Sequence, residues 1–222
     1  MRGGVVLTPE RISQRVLSEY FDLRVMDNNL RGYWCEAMVA EALGPDCRVC
    51  SGGWAPWDLE LGAASKTFPD NIRIQVKNTA RVQSWHGPTS VPSDPMFKLS
   101  YRSLPEYWNR DNPDRQCEAQ GFLCDLFVLC FHGIDALEKA DQRDPNQWQV
   151  FLISASPRDG DITENEIRSC RKAHLGTGRP STLQRRPATM AKGIRGRRAT
   201  VNMTLTDLSG AIIREFVTGQ QA

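Results

Sequence analysis

No apolar run in this 222-residue chain approaches the ~20 residues that a membrane-spanning helix needs. The N-terminal Val5-Val6-Leu7 is also too short for the apolar core of an export signal. A cytoplasmic protein with no membrane partner is therefore expected. The seven cysteines are odd in number, and without an export signal they are expected to be reduced thiols, not a disulfide framework. A lone Cys-x-x-Cys, Cys47 to Cys50, has no second pair and no His-x-His to complete a zinc set. Internal repeats are absent. Acids are missing from residues 168–198, which carry ten Lys and Arg. The whole chain is only +2, so the remainder carries a net −8. This asymmetry points to a polyanionic partner. Arg outnumbers Lys eight to two in the segment, and guanidinium is the better fork for phosphate.

With 40% apolar and 24% charged residues, the length suits one globular domain with an appendage. The expected division is a core over residues 1–160 and a basic helix, arm and hairpin over residues 161–222. Two short runs in the core alternate strictly. Leu59 and Leu61 fall on one face of a strand, with Asp58 and Glu60 on the other. Ile72, Ile74 and Val76 alternate in the same way with Arg73, Gln75 and Lys77. Period two with β-branched residues predicts two half-buried strands, and the short loop predicts an antiparallel pair. If the apolar faces share one core, Asp58, Gln75 and Lys77 gather on the opposite face. A carboxylate, a carboxamide oxygen and an ammonium there can hold a hard cation and activate a water.

Residues 30–43 read as a helix, capped from Asp27-Asn28-Asn29 and stopped by Gly44-Pro45. Offsets of three, four and seven place Glu36, Val39, Ala40 and Leu43 on one stripe, so Glu36 is expected to face inward. An inward acid is costly unless a metal or an ion pair with Lys77 compensates it. The plainer alternative is a solvated acid at the stripe's edge.

Glu36, Asp58, Gln75 and Lys77 in this order resemble the PD-(D/E)XK nuclease superfamily in its Gln-x-Lys form. The separations from Glu36 to Asp58 and from Asp58 to Gln75 are 22 and 17 residues. The family pattern is an acid on a first helix, an Asp at a strand bend, then (Glu/Gln)-x-Lys on the next strand. Mrr-like restriction nucleases and intron-encoded endonucleases are the similar branches, over about residues 30–155. The resemblance implies an α/β fold with a restriction-endonuclease-like core: a mixed four- to five-stranded sheet flanked by helices, ordered α-β-β-β-α-β. It implies Mg²⁺-dependent hydrolysis of phosphodiesters in double-stranded DNA, with Mn²⁺ able to substitute. The role would be restriction-like or associated with a mobile element. Asp58, the Gln75 oxygen and the Val76 carbonyl would hold the metal. Lys77 would orient or deprotonate the attacking water, and Glu36 would complete the site through water or by holding Lys77. A homodimer or larger assembly is implied, since double-strand cleavage needs two sites. Two readings of other classes fit the same residues: an inactive DNA-binding module on this fold, and a nucleic-acid-binding assembly protein.

Elsewhere, Thr8-Pro9-Glu10 starts a helix expected to pack on the domain edge. Residues 47–51 read as a first strand. Residues 78–100 read as a long polar loop reaching DNA, with Arg81, Trp85, His86 and Lys98 as contacts. His86 has no obvious Cys or Ser partner. Residues 101–109 read as a short helix, and 123–131 and 148–154 as buried strands, with Asp125 a structural acid near the site. Thr163-Glu-Asn-Glu166 is a capping box. Beyond it lies an arm whose Arg185, Arg186, Arg195, Arg197 and Arg198 would track phosphates, then alternating residues 199–206 and 211–217.

Overall fold

The computed structural model describes residues 7–50, 57–62, 72–101, 121–155, 162–177 and 181–187. Helix α1 (Pro9–Val16) starts where Thr8 accepts a hydrogen bond from the Arg11 N–H at 3.3 Å, and continues as a π-turn over Leu17–Phe21. Helix α2 (Asn28–Leu43) starts at Asp27, whose carboxylate accepts from the Asn29 and Leu30 N–H groups at 2.7 and 3.2 Å. Gly44, at φ 81°, closes α2 where a Cβ would be strained.

The strands are β1 (Cys47–Val49), β2 (Leu59–Leu61), β3 (Ile72–Ala80), β4 (Phe97–Tyr101), β5 (Leu126–His132), β6 (Trp148–Ser154) and β7 (Ser181–Arg185). Helix α3 (Glu164–Thr177) lies between the last two. Five strands form one mixed sheet in the order β1-β2-β3-β5-β6, in which only the β3–β5 pair is parallel. The architecture is the expected α/β class, a five-stranded mixed sheet flanked by helices.

Each face of the sheet has its own core. Cys35, Val39 and Leu43 of α2 pack on Leu59, Ile74, Val76 and Val128. On the other face Phe127, Leu129, Phe151 and Ile153 lie under Phe97 and Leu99 of β4, Leu183 of β7 and Ile167 of α3. The division expected at residue 160 thus falls between elements that share this second core. A fully buried Val or Leu stabilises by roughly 1.5–3 kcal/mol, so α2 is firmly anchored. Helix α1 buries no residue at all, against the expectation that it packs on the domain edge. No helix among the described residues is long and apolar enough to cross a membrane.

Several readings are corrected. The loop expected over residues 78–100 is shorter at both ends, because β3 runs on to Ala80 and Phe97–Tyr101 is strand β4. Phe97, Leu99 and Tyr101 are buried and alternate with Lys98 and Ser100, which supplies the driving force. Tyr101, expected to open a helix, ends that strand; residues 102–109 lie outside the described residues. The arm begins later than expected, since Ser181–Arg185 pairs antiparallel with β4, Lys98 facing Gln184. The alternating stretches at 199–206 and 211–217 lie outside the described residues. The buried stripe of α2 is Arg31, Cys35, Val39 and Leu43, so Glu36 and Ala40 flank it, half-buried.

Candidate active site

The site forms where β2 ends and β3 continues. The Asp58 N–H donates to the Ile74 carbonyl at 2.9 Å, and the Asp58 carbonyl accepts from the Cys50 N–H at 2.8 Å. Its backbone is therefore held by both neighbouring strands. Beyond Ile74, β3 has no β2 backbone left to pair with. The Asp58 side chain takes over: Oδ2 accepts the Val76 N–H at 2.7 Å. The same oxygen accepts the Gln75 Nε2–H. Because a strand residue directs its N–H and C=O to one side, the Val76 carbonyl faces the same gap as Asp58.

Burial pushes the Asp58 carboxyl above the usual carboxylate range. The Lys77 ammonium, the Val76 N–H and the Gln75 amide each pull it back. Asp58, Gln75 and Lys77 share the face opposite α2, as the alternation required. Glu36 lies half-buried on α2, which packs on the Val76 side of β3. Among the described residues no group of three or more His, Cys, Asp and Glu side chains could hold a metal. The hard oxygens this gap can offer are the Asp58 carboxylate and the Val76 carbonyl, with the Gln75 carboxamide beside them meeting Asp58 through its nitrogen. Such a set suits a cation that keeps several of its waters, as Mg²⁺ does. The Gln75 amide would have to turn over to present Oε1, replacing its hydrogen bond to Asp58.

A brace beside the site was missed from sequence. Asp125 grips the Arg73 side chain with both oxygens, at 2.6 Å to Nη2 and 2.9 Å to Nε, and accepts the Arg73 N–H at 2.8 Å. The Arg73 guanidinium lies 5.4 Å from the centre of the Trp57 ring. Trp57 Nε1 donates to Glu60 at 2.9 Å, and Arg48 donates to the other Glu60 oxygen at 2.5 Å. This chain of contacts fixes residue 57, next to Asp58. Asp125 is thus a structural acid, as read from its position. Burial pushes the nearby Cys124 thiol up to about 12, so it stays neutral and is no nucleophile.

Arg31 was also missed. Only 4% exposed, it donates to Asn28 Oδ1 at 2.6 Å, Asn78 Oδ1 at 2.7 Å and Gln83 Oε1 at 2.9 Å. Burial pushes its pKa below the usual arginine value. It ties α2 to the residue after Lys77. Its spacing of four from Cys35 was the available signal.

The expected DNA contacts divide into three groups. Trp85 is 65% exposed, edge-on to the His86 ring, and Lys98 is exposed on the outer face of β4. His86 does have a serine partner, since Ser93 Oγ lies 3.4 Å from Nε2. His86 Nδ1 also accepts the Gln83 N–H at 3.4 Å, so both ring nitrogens have contacts. Arg81, Arg185 and Arg186 are engaged by acids: Asp135, Glu166 (3.0 Å) and Asp94 (2.5 Å) respectively. Arg195, Arg197 and Arg198 lie outside the described residues.

No protein-family model matches the chain, and no curated protein matches it. Among solved structures, the bacterial homing endonuclease I-Ssp6803I aligns with 88% of this chain and 98% of its own, at 13% identity and a TM-score of 0.38. Agreement at that level is coarse and by itself carries nothing about what this chain binds or cleaves.

Proposed function

We propose that this protein is a metal-dependent DNA endonuclease of the PD-(D/E)XK type. The observation that carries the reading is the Asp58 carboxylate just before β2, seated on the Val76 N–H and the Gln75 amide, with Lys77 on the same face as Gln75. In this reading Asp58, the turned-over Gln75 amide and the Val76 carbonyl hold Mg²⁺ or Mn²⁺. When bound, that ion supplies Lewis-acid stabilisation of a phosphoryl oxygen and a more acidic water. Asp58 sits in a half-buried setting, where its charge is poorly solvated and favours a cation. Lys77 directs its ammonium at the attacking water and offsets charge that builds on the phosphorane. Glu36 takes an outer role from α2, through water. Trp85, His86 and Lys98 offer stacking and hydrogen bonding to bases, and the basic segment after β7 offers cations to phosphates. Double-stranded DNA is the proposed substrate and a homodimer the proposed assembly.

Incubation of supercoiled plasmid with the purified chain and Mg²⁺ or Mn²⁺ tests the reading. Nicked or linear product that disappears with chelator and with Asp58→Ala is expected. Binding of DNA without cleavage under every divalent ion would instead establish the inactive DNA-binding module.

A further inference from the structure

We propose that the β4–β7 ribbon is a base-reading element, whose outer face enters the major groove with Lys98, Ser100, Thr182 and Gln184 toward the base edges; this rests on the reading of double-stranded DNA as the partner. Alternation gives the ribbon two faces. Phe97, Leu99 and Leu183 point into the core with Phe127 and Leu129. Lys98 and Ser100 point the other way, directly opposite Gln184 and Thr182 across the ladder. Lys98, Thr182 and Gln184 are exposed, and Ser100 is half-buried. Among the described residues none of these four side chains is engaged by a hydrogen bond or an ion pair. The ribbon also lies beside the candidate site. Gln75 and Lys77 of β3 pair in register with Phe127 and Leu129 of β5, so they share the face that β4 and β7 cover. The Met96 N–H, just ahead of β4, donates to Thr79 Oγ1 at 3.3 Å, two residues past Lys77. A duplex whose backbone reaches Lys77 therefore has the ribbon as its neighbour on the same side of the sheet.

The chemistry of the outer face selects the occupant. Neither strand contains an acid, and β7 belongs to the acid-free segment with ten Lys and Arg. The outer face carries no aromatic or large aliphatic side chain. A protein partner or a single-stranded nucleic acid would need such groups, for packing or for stacking. What the face offers is an ammonium, a carboxamide and two hydroxyls, the groups that read base edges by hydrogen bonding. A B-form major groove is about 12 Å wide and admits a two-stranded ribbon. Residues two apart on a strand are about 7 Å apart, close to two base steps of about 3.4 Å. Lys98 and Ser100 on one strand, and Gln184 and Thr182 on the other, are thus spaced to address bases two steps apart. The inner face anchors the ribbon in the core, and Arg185 ties it to Glu166 of α3 at 3.0 Å. The reading groups therefore sit on a fixed platform.

Selection from random duplex DNA with the full chain, first with chelator and then with Ca²⁺, tests it. The wild type is expected to enrich a motif. Gln184→Ala should relax one base position and lower the ratio of selected to scrambled affinity by about 10-fold or more, the scale of one lost bidentate base contact. Gln184→Glu should shift the preferred base at that same position toward cytosine, whose amino group a carboxylate accepts. Lys98→Ala should relax a position of its own. These variants should melt with the wild type, because the side chains are exposed. Variants that enrich the wild-type motif with an unchanged affinity ratio overturn the proposal, and so does a wild type that enriches no motif. Plasmid cleavage separates the two readings. Cleavage that persists while the motif ignores the ribbon overturns this proposal alone. A ribbon-dependent motif without cleavage under Mg²⁺ or Mn²⁺ supports it and removes only the nuclease reading.

Discussion

At Asp58 the demands of a site and of a fold oppose each other. Burial raises its pKa, so folding favours the protonated form more than the unfolded chain does. The ionised form costs stability, and that cost grows as pH rises from the ordinary carboxylate range through the raised folded value. Asp58→Asn removes the charge, while the remaining oxygen can still accept the Val76 N–H. The variant should therefore melt higher than wild type at pH 7 and cleave nothing. A gain on the order of 1 kcal/mol would read as roughly 2–4 °C. A lower Tm with cleavage intact would reverse both assignments. Lys77→Ala should lower the single-turnover cleavage rate by about 10²- to 10³-fold, the scale of a removed electrostatic group, with DNA affinity little changed. A rate within a factor of three would leave Lys77 as an ordinary strand residue. The grouping of Asp58, Gln75 and Lys77 was legible because strand alternation is local and leaves no choice of phase. Glu36 was misjudged because helical offsets allow neighbouring stripes. The one that won carries Cys35, Val39 and Leu43, with Arg31 at its head.

The elements are held to one another by polar groups that sequence patterns undervalue. Arg31 reads as a surface charge, yet it joins α2 to the end of β3 and to the loop at Gln83. Arg31→Met would leave three amide oxygens without their donor and should cost roughly 2–4 kcal/mol in urea unfolding. Arg31→Lys should recover little, because a compact ammonium cannot span a planar fork. A cost below 0.5 kcal/mol for Arg31→Met, about the level of an ordinary surface change, would show that the clamp contributes nothing. His132, at the end of β5, is fully buried, with Nε2 3.0 Å from Gln147 Oε1. Burial lowers its pKa; the Arg31 charge adds to this, and Asp141 and Gln147 oppose it. The contribution of His132 is therefore fully present above about pH 6.5 and is lost as pH falls toward the lowered folded value, by at most about 1.4 kcal/mol per pH unit. His132→Phe should flatten that decline in a Tm series from pH 7 to pH 5. An equal decline in both proteins would place the acid sensitivity elsewhere. Strand β7 was missed because Leu183 is its one aliphatic residue and its partner, β4, is some eighty residues away. No local window contains that pairing.

Across the whole molecule the charge is divided between a net −8 body and a +10 segment of residues 168–198, and the structure shows the two meeting. Arg185, 17% exposed at its side chain, pairs with Glu166, and Arg186 pairs with Asp94. Glu166 also closes the capping box at the start of α3, accepting from Thr163 Oγ1 at 2.9 Å. The first arginines of the expected arm therefore serve the fold, and a phosphate would have to displace a carboxylate to use them. Composition alone could not reveal this, because it counts charges without their partners. In the proposed reading the phosphate-tracking role would then fall to Arg195, Arg197 and Arg198. If each meets one phosphate, neutralising all three should reduce the slope of log K against log salt by about 0.9 per contact, so by up to about three. Neutralising Arg185 and Arg186 should leave the slope nearly unchanged, and should lower the melting temperature through the freed Glu166. Both sets of changes should spare any sequence preference, because phosphate contacts position the protein and base contacts specify the site. Filter binding of one DNA duplex over a salt series separates the cases. If the Arg185/Arg186 pair flattens the slope and the later three arginines do not, the ion pairs to Glu166 and Asp94 give way on binding, and the assignment of fold and partner roles must be exchanged.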